Sequence, residues 1–172
     1  MSGVAPVRPD AASRPQRPAP SWQVRAAAAE DVTGIAAAVR ELLLELGGTP
    51  PAADLMQATA RALLDDGEAG ALLVARAPGA LVGVLAASWQ TAIHVGGDYA
   101  LIQDLWVDPA WRGRTVGATL LQALVACARE RGIGRIEVGL PHSRFAALGA
   151  TEAFYRENGF EQLGPRMRRA LS

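Results

Sequence analysis

Lysine is absent from this 172-residue chain, and all 17 basic side chains are arginine. A P-loop grips its phosphates with a lysine, so that class of nucleotidase is excluded. Cysteine occurs once, at Cys127, which rules out an internal disulfide. Only His94 and His142 stand beside it as further soft ligands, too few for a zinc cage, and no metal is expected. Acidic residues also number 17. The chain therefore has no broad positive field, and no nucleic acid partner is expected. No apolar run is long enough to span a bilayer, and the opening MSGVAPVRPD lacks the apolar stretch of a secretory signal. The expected setting is the cytoplasm, with no membrane partner.

Half of the residues are hydrophobic, enough for one domain with its own core. Residues 1–21 stand apart. Rich in Pro, Ala, Ser and Arg, they bury too little apolar surface to offset ordering and read as a disordered tail, which leaves 22–172 as the folded domain. WQVRAAA opens that domain as an edge strand. Ile35, Val39, Leu42, Leu43 and Leu46 then recur at helical spacing, with Asp31 or Thr33 as cap and Gly47 as stop. A second, shorter helix carries Leu55, Met56, Ala60 and Leu63. Two hairpins follow, one turned at Pro78-Gly79 and one at Gly96, Gly97 and Asp98. A helix from about Val116 to Arg131 presents Val116, Leu120, Leu121, Leu124 and Ala128 on one side, and Gly132 stops it. RIEVGL reads as a strand, ALGATEAFYRENG as a last helix, and FEQLGPRMRRALS as a final strand or strand pair. Hairpins first and alternating strands and helices later predict an α/β fold. Its core is one mixed, mostly antiparallel sheet of about six or seven strands with helices on both faces.

The junction LWVDPAWRGRTVGATLL, residues 105–121, carries the functional signal. A strand ends at Val107, a turn passes through Asp108-Pro109, and RGRTVGA leads into a helix. The first N–H groups of a helix have no internal partner, and the dipole there favours negative charge. Gly113 and Gly117 leave room for a phosphate, while Arg112 and Arg114 add permanent charge. The pattern is a pyrophosphate cradle of main chain with arginine support. It is not G-x-G-x-x-G, so the dinucleotide fingerprint is absent.

This segment resembles motif A of the GNAT superfamily of N-acetyltransferases, whose fingerprint is Gln/Arg-x-x-Gly-x-Gly/Ala between a strand and a helix. The chain matches at Arg112 and Gly117 and departs at Thr115, where glycine is the norm. EAFYRENGF resembles the family's motif B, with Phe154-Tyr155 ahead of Gly159-Phe160. An asparagine that touches the cofactor in many members has no counterpart, because Leu148 falls near its place. The order of elements fits from WQVRAAA onward.

The resemblance implies a fold in which acetyl-CoA lies between two splayed parallel strands, here those ending near Val107 and Leu140. The main chain of Leu105, Trp106 and Val107 would pair with the pantetheine arm. Arg112, Gly113, Arg114, Thr115, Val116, Gly117 and Ala118 would hold the pyrophosphate. An amine would attack the thioester directly. Tyr155, a phenol of ordinary pKa about 10, is the candidate general acid for the departing thiolate. In similar diamine acetyltransferases a Glu-Asp pair precedes motif A; here it reads Gln103-Asp104, so Asp104 alone remains as candidate base. It would act directly, through a water chain, or by orienting a cationic amine. The acceptor pocket would draw on Trp89, Gln90 and Tyr99, with His94 and Glu45 as further candidates. Cys127 reads as a small buried hydrophobe. The implied activity is acetyl transfer from acetyl-CoA to a primary amine of a small molecule. The alternatives are a silent acyl-CoA-binding module and a protein N-acetyltransferase. A homodimer is a family expectation.

Overall fold

Residues 70–107 are mostly aliphatic with little polar interruption, the pattern of strands buried on both faces. In the computed structural model, which describes residues 22–164, they form the centre of a five-stranded sheet. Its strands are β1 (Gln23–Ala26), β2 (Gly70–Ala77), β3 (Ala80–Ala92), β4 (Gly97–Val107) and β5 (Ile136–Val138), adjacent in that order. Every pair is antiparallel except β4–β5, which is parallel. Helices α1 (Val32–Glu45) and α2 (Ala53–Asp65) cover one face, and α3 (Val116–Glu130) and α4 (Leu148–Glu157) the other.

The period of two in a strand divides the core. Leu73, Ala75, Leu85 and Ala87 meet Val116, Leu120, Leu124 and Tyr155 on the α3–α4 face. Leu72, Val74, Val84 and Ala86 meet Val32, Ile35, Ala38 and Ala60 on the α1–α2 face. Leu85, Leu120 and Leu124 are fully buried, and each contributes about 1.5–3 kcal/mol through loss of contact with water.

Helix ends follow the sequence closely. Gly47, Gly132 and Gly159 adopt positive φ just past α1, α3 and α4. In each case the next N–H returns to a carbonyl one turn back, as in Ile133 N to Ala128 O at 2.8 Å. Asp31 departs from its expected role. Rather than capping α1, its fully buried carboxylate accepts from Ala28 N at 2.8 Å and from Arg25 at 2.6 Å, with Arg76 at 3.3 Å. It ties β1, β2 and the start of α1 together.

The described residues hold five strands of one mixed sheet, in keeping with the expected fold class. Three expectations need correction. Phe160–Gly164 forms no regular element, because its apolar residues Phe160 and Leu163 are spaced by three and Gly164 sits at positive φ. The rest of the expected final strand, and the tail 1–21, lie outside the described residues. The second hairpin turns at Ile93–Gly96, so Gly97 and Asp98 already belong to β4. On α2, Leu55 and Leu63 are exposed, and Ala60 with Leu64 makes the packed face. Among the described residues, no helix is long and apolar enough to cross a membrane.

Candidate active site

Strands β4 and β5 pair only from Ala100↔Ile136 to Ile102↔Val138. Beyond that point β4 runs on to Val107 without β5, which leaves an open edge. Its partner on the other side is β3, in register Leu85↔Leu105, Val84↔Trp106 and Gly83↔Val107. Asp108 N donates to Val82 O at 3.0 Å. Hydrogen-bonded and non-bonded pairs alternate along an antiparallel ladder, so Trp106 turns its main chain toward β3. Leu105 and Val107 turn theirs toward the open edge. Of the three residues expected to meet a pantetheine arm, these two are presented and Trp106 is not. The Trp106 indole is buried in the α1–α2 core, with its Nε1 unpartnered among the described residues.

The chain then passes into the loop. The Asp108 carboxylate accepts from Ala110 N at 2.8 Å and holds a short 3-10 turn over Pro109–Trp111. Gly113 follows at φ +73° in open space. Thr115 sits at φ +66°, the one non-glycine in the left-handed region among the described residues. This is the position where the resemblance expects glycine, and the dihedral explains why: a β-branched residue is strained there. Thr115 does not cap α3, since its hydroxyl donates to Arg114 O at 2.5 Å. The internal ladder of α3 begins with Thr119 N to Thr115 O at 2.9 Å. Among the described residues, the N–H groups of Val116, Gly117 and Ala118 therefore have no partner, at the positive end of a 15-residue helix.

The supporting side chains differ from expectation. A Cβ on Gly117 would meet Phe154 Cζ at 3.1 Å and Val107 Cγ2 at 3.6 Å. Its missing side chain therefore allows the close packing of α3 against α4. The Arg112 guanidinium binds Glu45 at 2.6 and 2.8 Å and the Val107 carbonyl at 3.0 Å. Glu45, considered for the acceptor pocket, is thus engaged with the loop. Arg114 lies over the Trp111 ring, 5.2 Å from its centroid.

A second cluster forms where β3 and β4 fall out of step. Ala86 pairs with Asp104 and Ala87 with Ile102, so Gln103 is bulged out. Gln103 Nε2 donates to Ser88 Oγ at 2.9 Å, and Gln90 Nε2 donates to the same oxygen at 3.0 Å. Asp104 shares this α1–α2 side through its partner Ala86. Half-buried, its carboxyl is raised above the ordinary value by burial, with no charged partner among the described residues to offset it. The acceptor candidates are split. Tyr99 pairs with Gln90 and shares its face. Trp89 falls on the other, packing in the α3–α4 core beneath Arg131. A single step along the strand separates the two faces. His94, in the turn, stands 6.5 Å from the Tyr99 ring.

Tyr155 is buried between Phe154 and Phe160, each ring 5.2 Å away and edge-on. Burial pushes its phenol up to about 12. It lines an open cavity of about 870 Å³ whose described walls come from α4, Arg135–Ser143, Phe160–Gly164 and Val125. Tyr155 thus lies on the β5 side, while Asp104 lies on the opposite face of the sheet. Cys127 is half-buried, and burial raises its thiol.

No curated protein sequence matches the chain. Among solved structures, one similar fold is a predicted acetyltransferase with acetyl-CoA from Clostridium acetobutylicum. It is 17% identical, with TM-score 0.71, over 87% of this chain and 96% of that one. A second is an aminoglycoside acetyltransferase from an uncultured soil metagenomic sample, in complex with trehalose, at 18% identity and TM-score 0.69 over 88% and 97%. A third is the ribosomal-protein-alanine N-acetyltransferase from Brucella melitensis biovar Abortus 2308, at 18% identity and TM-score 0.67 over 88% and 99%. The model of the acetyltransferase (GNAT) family matches residues 36–160, from α1 to the end of motif B. The chain belongs to the GNAT acetyltransferase family.

Proposed function

We propose that the protein transfers an acetyl group from acetyl-CoA to the primary amine of a small, polar molecule. The observation that carries this reading is the three free N–H groups opening α3, set directly after the open edge of β4. Acetyl-CoA supplies the acyl group as an activated thioester. The main chain of Leu105 and Val107 would hold the pantetheine arm, and the N–H groups of Val116, Gly117 and Ala118 the diphosphate, with Arg114 as the nearby cation. The open space above Gly113 supports this fit.

Where β4 runs on without β5 beyond Ile102 and the two faces of the sheet can communicate, Asp104 accepts the proton of the attacking amine, directly or through water. Its unpaired, half-buried carboxylate supports that role and favours a cationic amine over a neutral one. Ser88, Gln90 and Gln103 add neutral donors and acceptors nearby, which supports an acceptor carrying hydroxyl groups rather than an aryl amine. Tyr155 is the acid. A phenol held at about 12 remains protonated throughout the working range. Full transfer to a thiolate of ordinary acidity, near ~8.5, is uphill by about 5 kcal/mol. Tyr155 therefore acts first as a hydrogen-bond donor to the developing sulfur charge.

A panel of amino sugars, diamines, aryl amines and peptides, read by release of free CoA, tests the reading. Turnover is expected with hydroxylated primary amines. Tight acetyl-CoA binding with no turnover across the panel would instead support a silent binding module, and turnover confined to peptides a protein acetyltransferase. Tyr155→Phe should lower kcat about 10²-fold while leaving the Kd for acetyl-CoA unchanged. An equal change in both would make Tyr155 a packing residue.

A further inference from the structure

Glu45 is the last residue of α1, and an acid at that end faces the negative pole of the helix. The placement is unfavourable on its own, so a partner elsewhere must offset it. That partner is Arg112, 67 residues away, whose Nη2 donates to Oε1 and Oε2 of Glu45 at 2.6 and 2.8 Å. The same guanidinium uses Nε to donate to the Val107 carbonyl at 3.0 Å. One planar group thus joins the end of α1, the end of β4 and the start of the anion loop. The residues that follow, Gly113 and Thr115, both hold left-handed dihedrals, so the direction in which the chain leaves Arg112 sets where the free N–H groups of α3 point.

We propose that Glu45 is a positioning residue for the cofactor: it holds Arg112 against the Val107 carbonyl and so fixes the anion loop relative to the open edge of β4. This rests on the acetyl-CoA reading of the site. Two consequences follow. Arg112 is neutralised by its carboxylate partner, so the diphosphate is met by main-chain N–H groups and Arg114, and Arg112 acts through geometry. Glu45 belongs to the cofactor side of the reaction even though its helix covers the face that carries Asp104.

The test is the Kd for acetyl-CoA by calorimetry, with the acceptor KM measured alongside, for Glu45→Ala, Glu45→Gln, Arg112→Ala and the Glu45→Ala/Arg112→Ala pair. Each alanine variant is expected to weaken acetyl-CoA binding about fivefold, and the double variant no further, because one bracket is lost in all three. Glu45→Gln, which keeps an accepting oxygen, should recover most of the affinity. The acceptor KM should stay unchanged. Unchanged or tighter acetyl-CoA binding in Glu45→Ala would overturn the proposal, the latter by making Glu45 a competitor of the diphosphate. Multiplying losses in the double variant would overturn it, as would a rise confined to the acceptor KM. A native protein that fails to bind acetyl-CoA would instead remove the reading of the site on which the proposal rests, and the proposal with it.

Discussion

Thr115 holds a conformation that costs a non-glycine residue about 1–3 kcal/mol. Glycine would relieve the strain at an entropic cost of about 0.5–1 kcal/mol. Thr115→Gly should therefore stabilise the fold by about 1 kcal/mol, a rise in Tm of about 2–4 °C by calorimetry. A fall would mean that the threonine contacts outweigh its strain. Asp104 makes a prediction with two opposite signs. Burial raises its carboxyl above 3.8, so the fold prefers the protonated acid, and the associated stability is present below the ordinary value and lost as pH rises through the folded one. Asp104→Asn should thus melt higher than the native protein near neutrality and level with it in acid below the ordinary value. In the proposed role of Asp104 the ionised form is the base, so kcat/KM should climb with pH through the raised value and lose that limb in the variant. Melting curves and pH–rate profiles check the two halves. The acidity of Asp104 was legible in the sequence, but its burial was not, because burial depends on which side of a bulge the side chain falls.

At the scale of elements, the α3–α4 contact decides the shape of the loop that opens α3. Gly117 is where the two helices come close, with Phe154 3.1 Å from the Cβ that an alanine would add. Gly117→Ala should cost about 2 kcal/mol by overpacking and weaken acetyl-CoA binding by displacing the N–H of residue 117. Trimming the obstacle, in Gly117→Ala/Phe154→Leu, should return much of the stability. If the double variant is as unstable as the sum of the singles, the packing account is wrong. Motif A and motif B were each readable as strings, yet their dependence on one another was not. The helices were legible because their apolar spacing and glycine stops are local, and α1, α3 and α4 end where glycine takes positive φ. The turn falls at Ile93–Gly96, earlier than residue type suggests, because Gly96, Gly97 and Asp98 all tolerate turning and cross-strand register decides among them. Register also separated Trp89 from Gln90 and Tyr99, which a reading by residue type had grouped together.

Across the whole molecule, one sheet serves two cores, and β4 contributes to both of them. Asp31 locks the entrance of the first, with Arg25 from β1, Arg76 from β2 and the Ala28 N–H all converging on a carboxylate shut off from water. Removing the acid leaves two arginines facing a void. Asp31→Ala should cost about 3 kcal/mol and lower Tm by about ten degrees, and the loss should exceed that of Arg76→Ala. Equal, small effects in both would make the cluster ordinary surface pairing.

The sequence by itself determined the class of fold, the order of elements, the junction at Arg112–Ala118 and the family, because these rest on periodicity, glycine placement and short motifs that act within a few residues. Tertiary structure decided which main-chain groups face the open edge of β4, what fills the space at Gly117, and that Glu45 and Arg112 meet across 67 residues. Those outcomes depend on strand register and on contacts between distant elements, where a shift of one residue reverses the face that a side chain presents.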